Sequence, residues 1–471
     1  MNTKIASSYC NDVLGTFDGV EIANSISNGE IKEIEVLEAA ISRAEKVNPY
    51  INGISTKAFE LALNETKVLN RNPFFKGVPS FIKDNDDVKG LPTLYGSRSV
   101  TSKPVQKSSE FVEFYNSLGF RNLGKSTLPE LGLTCTTESL ATGPTRNPWN
   151  LDHSTGGSSG GAAALVASGV VPIAHGNDGG GSIRIPASCC GLVGLKPSRW
   201  RLPNKASLNE MPINIVCNGI LSRTVRDTAV FYAEAEKIFG SHDLPKIGLV
   251  EHPNKKRLRI AMVNTRSDEK VLDTNIAGQI KKVGKCCEAL GHKVEEIKFP
   301  FQKKVMDDFI IYWSALAFYF YYFGKKVTGD KINKRKLEKL TVGFSKFYKR
   351  NILKTPFVIR RLKKFSNHYE AFFNDYDLLL SPTNSTPPPE IGYLDPNLEF
   401  DTSLERLLDF VPYTPYQNIS GAPAISLPLG HCNKGLPVGV QFAAAFGREK
   451  LLLEIAFELE EALPWPRVGE R

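Results

Sequence analysis

The chain has 471 residues, of which 41% are apolar and 23% charged, and its formal net charge is +9. This length suits one large domain or two to three smaller ones, and the composition is that of an ordinary globular protein. The sequence contains no apolar run of about 18 residues, which argues against a transmembrane helix, and its N-terminus lacks the apolar segment of a signal peptide. Eight cysteines are too sparse for a disulfide scaffold, so we expect reduced thiols and a cytoplasmic location.

The positive charge is concentrated in one region. Residues 303–364 contain 17 Lys and Arg against 4 Asp and Glu, a net charge of +13. The rest of the chain therefore carries about −4, because the total is +9. This distribution argues against general nucleic-acid binding and predicts one local basic region.

The predicted elements of the first part of the chain are a helical segment followed by short strands. Apolar residues recur at helical spacing over 17–48, and short apolar runs between turns predict strands near a helix over about 74–125. Farther along, strands are predicted at 258–264 and 292–298, on either side of a helix around 274–290. This alternation of helices and strands predicts an α/β fold.

The segment at about 303–373 is rich in Phe, Tyr and Lys and has few turn signals. Its part 309–323 is 15 residues long and uncharged, which is too short to span a bilayer and predicts a buried or groove-lining helix. A buried strand is predicted at 377–382, and short strands then lead to a final helix at 448–462. We therefore predict a single domain over residues 1–471, with the aromatic and basic segment as a variable helical insertion.

A first glycine-rich turn occupies residues 156–161. It precedes a run of good helix formers at 162–168, which predicts a short helix that either Ser158 or Ser159 could cap. Glycine loses more backbone entropy on folding than any other residue, so a fixed glycine cluster needs a structural or chemical reason.

A second glycine-rich turn, residues 177–182, follows an apolar strand predicted at 170–174. Its three successive glycines leave several backbone N–H groups unshielded, and such a run can form an anion-binding nest. A serine hydroxyl beside these donors, here that of Ser182, is the arrangement that acyl transfer requires.

A serine nucleophile needs a base, and the sequence offers two. His175 lies seven residues before Ser182, but near the end of a strand it is typical of a core or supporting histidine. Lys83 ends an apolar run, where burial would lower its pKa and let it serve as the base of a Ser–Lys arrangement. Many lysines at strand ends instead extend to solvent. The residues by themselves leave both alternatives open.

Several blocks resemble a known family. The stretch GGSSGGAAALVASGVVPIAHGNDGGGSIRIPASCCGLVGLKP resembles the defining segment of the amidase signature family, and GVPSFIKDN resembles its lysine segment. The blocks NLGKSTLPELG, TRNPWN and SGAPAISLPLG are similar to its other motifs. The resemblance runs from about residue 17 to 465, with a weak interior at about 300–375. Within the family, the segments TRNPWNLDHSTGGSSGG, AHGND and FGREKLLLEIAFELEEALPW are most similar to the 6-aminohexanoate cyclic dimer hydrolases.

The resemblance implies a catalytic triad. Ser182 is implied as the nucleophile that forms an acyl-enzyme, and neutral Lys83 as the base. Ser158 is implied as the bridge between them, on a cis peptide bond after Gly157. The implied fold is a central twisted mixed β-sheet surrounded by α-helices.

The resemblance also implies an oxyanion hole and supporting residues. The oxyanion hole would consist of successive backbone N–H groups, those of Gly179, Gly180, Gly181 and Ser182. Asp178 and Arg184 match supporting positions, and we interpret them as an ion pair that stabilises the turn. Ser159 is assigned a supporting role beside them.

The chain departs from the commonest family pattern at two positions of the second turn. Asn177 stands where Thr is usual, and it keeps a polar side chain there. Gly179 stands where a side chain is usual, which would loosen the oxyanion loop or make room above it.

These observations predict an amidohydrolase that cleaves a linear or cyclic carboxylic amide, with no cofactor and no metal. The acyl pocket is expected within 300–375, whose aromatic residues would form either helix core or an apolar groove. The basic region 303–364 would contact an acidic membrane surface weakly or capture an anionic substrate. We expect a small-molecule substrate, no nucleic-acid partner, and a monomer or homodimer.

Three other functions are compatible with parts of the pattern. The glutaminase (A) subunit of a tRNA-dependent amidotransferase shares the motifs, and it would use free glutamine and a stable protein partner. A catalytically silent binding protein of the same fold is disfavoured because Lys83, Ser158 and Ser182 are all present. A phosphate-binding loop is disfavoured because neither turn ends in the Gly-Lys-Ser/Thr of a Walker motif.

Overall fold

The computed structural model describes residues 4–64, 72–240 and 243–470. We number the strands β1 to β15 in chain order: Ile54–Lys57, Pro79–Lys83, Arg121–Ser126, Glu138–Ser139, Gly143–Pro144, Arg146–Asn147, Asn150–Ser154, Ile173–Asp178, Val193–Lys196, Cys217–Ser222, Arg259–Val263, Lys293–Ile297, Leu378–Pro382, Ala424–His431 and Pro437–Ala443. The α-helices are α1 to α15: Gly19–Ser27, Glu33–Ile51, Phe59–Asn64, Glu110–Ser117, Gly160–Ala167, Arg184–Cys190, Ala206–Asn209, Val225–Ile238, Thr274–Ala289, Lys303–Thr328, Lys339–Asn351, Thr355–Phe372, Phe400–Phe410, Pro415–Ser420 and Glu449–Ala462.

Eight strands form one mixed sheet, in the order β12-β11-β13-β15-β14-β9-β10-β8. The first three are parallel to one another, and each later neighbouring pair is antiparallel. Every residue of β9, β13 and β15 is buried, because helices cover both faces of the sheet. The predicted α/β fold, a mixed sheet surrounded by helices, is confirmed.

A second, three-stranded sheet has the order β1-β3-β2. All of β2 is buried, and two hydrogen bonds join it to β8 at the edge of the large sheet. The Ser80 hydroxyl donates to the Ile173 carbonyl at 2.9 Å, and the Lys83 N–H donates to His175 Nδ1 at 3.2 Å. The end of β2, with Lys83, therefore lies beside the end of β8, where the second glycine turn begins.

The predicted aromatic and basic insertion contains the helices α10, α11 and α12. Along helix α10, Phe309 and Ile310 are buried, whereas Trp313 and Tyr319 line a cavity. The two expected roles of the aromatic residues, helix core and groove lining, thus both occur on one helix. The domain boundaries themselves stay a prediction.

The segment 17–48, which is predicted to be helical, forms two helices, α1 and α2. Asn28 ends α1, and Gly29 follows with φ of +74°, a left-handed conformation that glycine adopts easily. A helix therefore cannot continue through this point, although the apolar spacing does.

Two predictions around the glycine turns need correction. The strand predicted at 170–174 is β8, which extends through the polar residues up to Asp178, because β10 pairs with it over its whole length. The helix predicted from residue 162 begins at Gly160. Ser159 occupies its N-cap position, but its hydroxyl donates to the Asn177 carbonyl at 3.3 Å and does not cap the helix.

In the part of the chain that the structure describes, no helix is both long and apolar enough to cross a membrane. All eight cysteines are free thiols. The adjacent pair Cys189–Cys190 is buried in α6, where burial raises the pKa of both thiols, so they are poor nucleophiles at neutral pH.

Candidate active site

Lys83 lies fully buried at the end of β2. Its Nζ is 2.8 Å from the Ser158 Oγ and 2.8 Å from the Asn177 Oδ1. The Asn177 Nδ2 in turn donates to the Asn85 Oδ1 at 2.9 Å, which fixes which end of the amide faces the lysine. Asn177 thus replaces the usual threonine with a carbonyl oxygen that accepts a hydrogen bond from Lys83.

Burial lowers the pKa of Lys83 to about 7, although the carboxylates of Asp178 and Asp86 oppose this shift. Near neutral pH, a large fraction of the amine is therefore uncharged. A neutral amine has one lone pair and two N–H bonds. If one N–H donates to Asn177, the lone pair is available to the Ser158 hydroxyl, and Lys83 can act as a base.

His175, the other base considered, does not contact a glycine-turn serine. Its Nδ1 accepts the Lys83 N–H, its Nε2 lies 3.3 Å from the Asn218 Oδ1, and its ring lies 4.5 Å from the ring of Phe111. Burial lowers its pKa to about 4, so the imidazole is neutral. Its expected role as a core histidine that supports the site agrees with these contacts.

The first glycine turn brings Ser158 to Lys83. The peptide bond between Gly157 and Ser158 is cis, as the family resemblance implied. Gly161 shows why the turn is glycine-rich, since a Cβ there would lie 2.4 Å from the Thr127 backbone nitrogen. The Ser159 N–H donates to the Ser182 carbonyl at 3.3 Å and so ties the first turn to the second.

The second glycine turn is organised by the carboxylate of Asp178. It accepts the N–H of Gly181 at 2.7 Å and that of Ile183 at 3.1 Å. Gly181 has φ of +129°, and a Cβ there would lie 2.3 Å from the Thr414 Oγ1, so only glycine fits. The expectation that the Gly181 N–H serves the oxyanion hole is corrected here, because Asp178 already accepts that hydrogen bond.

Three of the four expected oxyanion donors remain open. Among the described residues, no group accepts a hydrogen bond from the N–H of Gly179, Gly180 or Ser182. The Ser182 hydroxyl also makes no hydrogen bond among the described residues, and Ser182 lines the same cavity as Ser158. No hydrogen bond joins the two serine hydroxyls within this part of the chain. The structure thus brings Lys83 and Ser158 into contact and places Ser182 at the wall of the cavity that Ser158 also faces.

Asp178 and Arg184 form the predicted ion pair, and both side chains are fully buried. The Arg184 Nη2 and Nε donate to the two Asp178 carboxylate oxygens at 2.9 and 3.0 Å. Burial alone would raise the pKa of Asp178, but Arg184 holds it well below its usual range. The remaining guanidinium contacts were not predicted, and they involve Gln417, Asn418 and Gln441.

Replacing Asp178 by alanine is expected to destabilise the protein by about 3–5 kcal/mol, because it leaves the buried Arg184 without its carboxylate. The measurement is urea unfolding of the variant and the wild type. The Glu234→Gln variant is a control, because it breaks the ion pair with the exposed Lys237 and should leave the unfolding midpoint unchanged. An Asp178→Ala midpoint as high as that of the control would contradict the structural role of the pair.

A cavity of about 910 Å³ opens from the two serines. Its walls are mostly apolar and come largely from α10, with the side chains of Tyr312, Trp313, Leu316 and Tyr319. A second cavity, of about 40 Å³, also borders Ser182. Trp313 and Leu133 line both cavities, and the Trp313 Nε1 donates to the Leu133 carbonyl at 3.3 Å.

The glycine at position 179 makes room for Trp313. A Cβ on Gly179 would lie 3.0 Å from the Trp313 Cζ3 and 3.2 Å from the Val216 Cγ2. The indole of α10 therefore packs directly on the backbone of the second turn. Two consequences of this glycine were expected, a looser oxyanion loop or more room above it. The packing of Trp313 agrees with more room above the loop.

Comparisons with known proteins show which family this chain is similar to. The model of the family described as Amidase matches residues 35–453. The protein named "Putative amidase AmiC" of Mycobacterium tuberculosis (strain ATCC 25618 / H37Rv) is 45% identical over 462 residues, which cover 98% of this chain and 97% of that protein. The 6-aminohexanoate-cyclic-dimer hydrolase of Paenarthrobacter ureafaciens is 34% identical over 481 residues, with 95% of each chain covered.

A solved structure shares the fold over almost the whole chain. It is that of a 6-aminohexanoate cyclic dimer hydrolase complexed with substrate, with a TM-score of 0.88 and 31% identity. The match covers 96% of this chain and 98% of that one.

Proposed function

Since this chain belongs to the amidase signature family and is an amide-hydrolysing enzyme, we propose that it cleaves a carboxylic amide through an acyl-enzyme on Ser182. The observation that carries this proposal is the contact of 2.8 Å between the Lys83 Nζ and the Ser158 Oγ, with a lysine pKa of about 7. In this arrangement the neutral lysine provides the base and the serine that it contacts provides the proton relay. The second serine provides the nucleophile, and the backbone N–H groups without acceptors among the described residues provide the oxyanion hole.

In the first half of the reaction, Ser182 passes its proton to Ser158, and Ser158 passes its own proton to Lys83. The Ser182 Oγ attacks the amide carbonyl carbon, and the negative charge develops on the carbonyl oxygen. The open N–H groups of Gly179, Gly180 and Ser182 stabilise this oxyanion. The serine hydroxyls need to approach within hydrogen-bond distance when substrate binds, as catalytic contacts often do.

In the second half, the amide C–N bond breaks and Ser158 gives its proton to the leaving nitrogen, which departs as a neutral amine. The Lys83 ammonium returns a proton to Ser158, so the lysine is neutral again. The acyl group remains on the Ser182 Oγ as an ester. Water then loses a proton to the same relay and attacks the ester carbonyl, which releases the carboxylic acid and restores Ser182. Asp178 takes no part in proton transfer, since its ion pair with Arg184 and its hydrogen bonds hold the second turn in place.

We further propose that the substrate is a linear or cyclic amide with flexible aliphatic segments, similar to the 6-aminohexanoate cyclic dimer. The size of the cavity, about 910 Å³, and its apolar lining support this choice. Free glutamine is smaller than the cyclic dimer and carries two charged groups. Charged groups are a poor match for a wall of aromatic side chains such as Trp313 and Tyr319.

The test is a hydrolysis assay with three amides: the 6-aminohexanoate cyclic dimer, an aliphatic anilide and free glutamine. We expect ring opening of the cyclic dimer to the linear dimer, or release of the acid and aniline from the anilide, and no ammonia from glutamine. The Ser182→Ala variant is measured in parallel to exclude contaminating amidases. Hydrolysis of glutamine alone would instead support a glutaminase subunit.

The packing of Trp313 on Gly179 gives a further prediction. The Gly179→Ala variant is expected to lower kcat/KM about tenfold, because the indole must move by a few tenths of an ångström and the donor beside it shifts. The double variant Gly179→Ala/Trp313→Leu removes the crowding, so it should recover kcat relative to Gly179→Ala alone. Steady-state kinetics of both variants measures this. Equal kcat values for the two would mean that the crowding does not reach the oxyanion loop.

A further inference from the structure

Seven large apolar side chains are exposed in the second half of α10 and around the junction of α11 and α12. We call them the aromatic rim: Tyr319, Tyr322, Phe323, Val327, Ile352, Leu353 and Phe357. Leu353 is 87% exposed and Phe357 is 64% exposed. Such contiguous apolar exposure is unfavourable in water and usually marks an interaction surface.

Part of the aromatic rim lines the large cavity. Tyr319, Phe323, Val327 and Ile352 are each at least 37% exposed, and the same four residues line the cavity. A ring contact connects α10 and α11 here, since the ring centroids of Phe318 and Tyr348 lie 5.1 Å apart. Within α10, the rings of Phe318 and Tyr322 lie 4.6 Å apart. A ligand that enters the cavity from this side passes over the rim.

The rim is flanked by cations that have no carboxylate partner among the residues that the structure describes. Of the 17 Lys and Arg in 303–364, three pair with Asp or Glu within the described residues, namely Lys304, Lys339 and Arg361. The other fourteen are all exposed. Lys349, Arg350 and Lys354 stand in the same turn as Ile352 and Leu353, and Lys326 lines the cavity mouth beside Phe323.

We propose that this face docks on an anionic lipid bilayer, with the aromatic rim inserted among the headgroups and the cavity mouth turned towards the membrane. Exposed apolar side chains between cations favour binding to an anionic bilayer. The apolar side chains enter the boundary between headgroups and acyl chains, while Lys and Arg contact the headgroups. A second copy of the chain is a poor occupant, because it would present the same net charge of +13 over residues 303–364.

The experiment is sedimentation of the full chain with vesicles of two compositions. One is phosphatidylcholine alone, and the other is one part phosphatidylglycerol to two parts phosphatidylcholine. We expect binding to the anionic vesicles that weakens as salt is raised, and little binding to the neutral ones. Equal binding to both compositions, or to neither, would overturn the proposal.

Three variants separate the contributions. The Leu353→Gln/Phe357→Gln variant removes two exposed apolar side chains. We expect its partition coefficient into anionic vesicles to fall by about tenfold or more. The Lys349→Gln/Arg350→Gln/Lys354→Gln variant should weaken it roughly 100-fold, because each basic residue near an anionic surface contributes about a fivefold factor. The matched control, Lys281→Gln/Lys282→Gln/Lys285→Gln on α9, removes the same charge from another exposed face.

Equal loss of binding in the Lys349→Gln/Arg350→Gln/Lys354→Gln variant and in the α9 control would mean that only net charge matters, which would overturn a specific docking face. Sedimentation equilibrium without lipid tests the other occupant. A dimer that dissociates in the Leu353→Gln/Phe357→Gln variant would show that a second copy covers the rim and would overturn the membrane proposal. Vesicle binding is measured without substrate, so these outcomes do not depend on the proposed amide.

Discussion

The Ser182→Ala variant is expected to lose about 10⁵–10⁶-fold in kcat for amide hydrolysis, the largest effect in this protein. The alanine removes the only oxygen that can form the proposed acyl ester, while it leaves the backbone N–H groups of the second turn in place. The Ser182 hydroxyl makes no hydrogen bond in the described part of the chain, so its loss should leave folding intact. Steady-state kinetics with the best amide, together with thermal unfolding, measures both effects.

A matched control is Ser188→Ala. Ser188 is another buried serine, in α6 just after the second turn, and its hydroxyl accepts the Gly439 N–H at 2.9 Å. We expect this variant to keep kcat within about tenfold of the wild type, because its serine does not border the cavity. A Ser182→Ala enzyme as active as the control would show that another group attacks the amide.

The Lys83→Met variant is expected to lose about 10³–10⁵-fold in kcat/KM, because methionine fills a similar space but cannot accept a proton. The loss should fall mainly on kcat, since the lysine is fully buried behind Ser158 and does not line the cavity. Kinetics with a small amide measures this, and a change confined to KM would contradict a role as base.

The pH profile separates a base from a structural residue. Burial lowers the pKa of Lys83 to about 7, so the active neutral form is scarce below this pH and predominates above it. We therefore expect the wild-type kcat/KM to rise with pH to a plateau, with a midpoint near 7, and the rise to be absent in Lys83→Met. The Lys196→Met variant removes another fully buried lysine whose pKa is also lowered by burial, and it should keep the wild-type midpoint.

The sequence predicted the contact of Lys83 with Ser158 because the family motifs that carry them are distinctive. It also predicted the ion pair of Asp178 with Arg184, whose partners are only six residues apart. Both residues match supporting positions of the family, and their close spacing in the chain is consistent with a local ion pair. The α/β class followed from the alternation of helical and strand periodicity.

The remaining features depend on contacts between distant segments. Arg184 contacts Gln417 and Gln441, which are 233 and 257 residues away, and no local pattern indicates such pairs. The hydrogen bond from the Gly181 N–H to Asp178 depends on the backbone path of the turn, which residue types alone do not specify. The packing of Trp313 on Gly179 could not be predicted from the sequence either, although the unusual glycine at 179 and the aromatic segment were both identified there. An unusual small residue was thus a sign that a large side chain packs there from elsewhere.

The most direct test of the central claim is covalent labelling by a serine-directed fluorophosphonate, located by peptide mass spectrometry, on the wild type, Ser182→Ala and Lys83→Met. The account predicts a label on Ser182 in the wild type, no label in Ser182→Ala, and much slower labelling in Lys83→Met. A label on Ser158 or another serine, or no label on the folded wild type, would contradict the assignment of Ser182 as a nucleophile activated by Lys83.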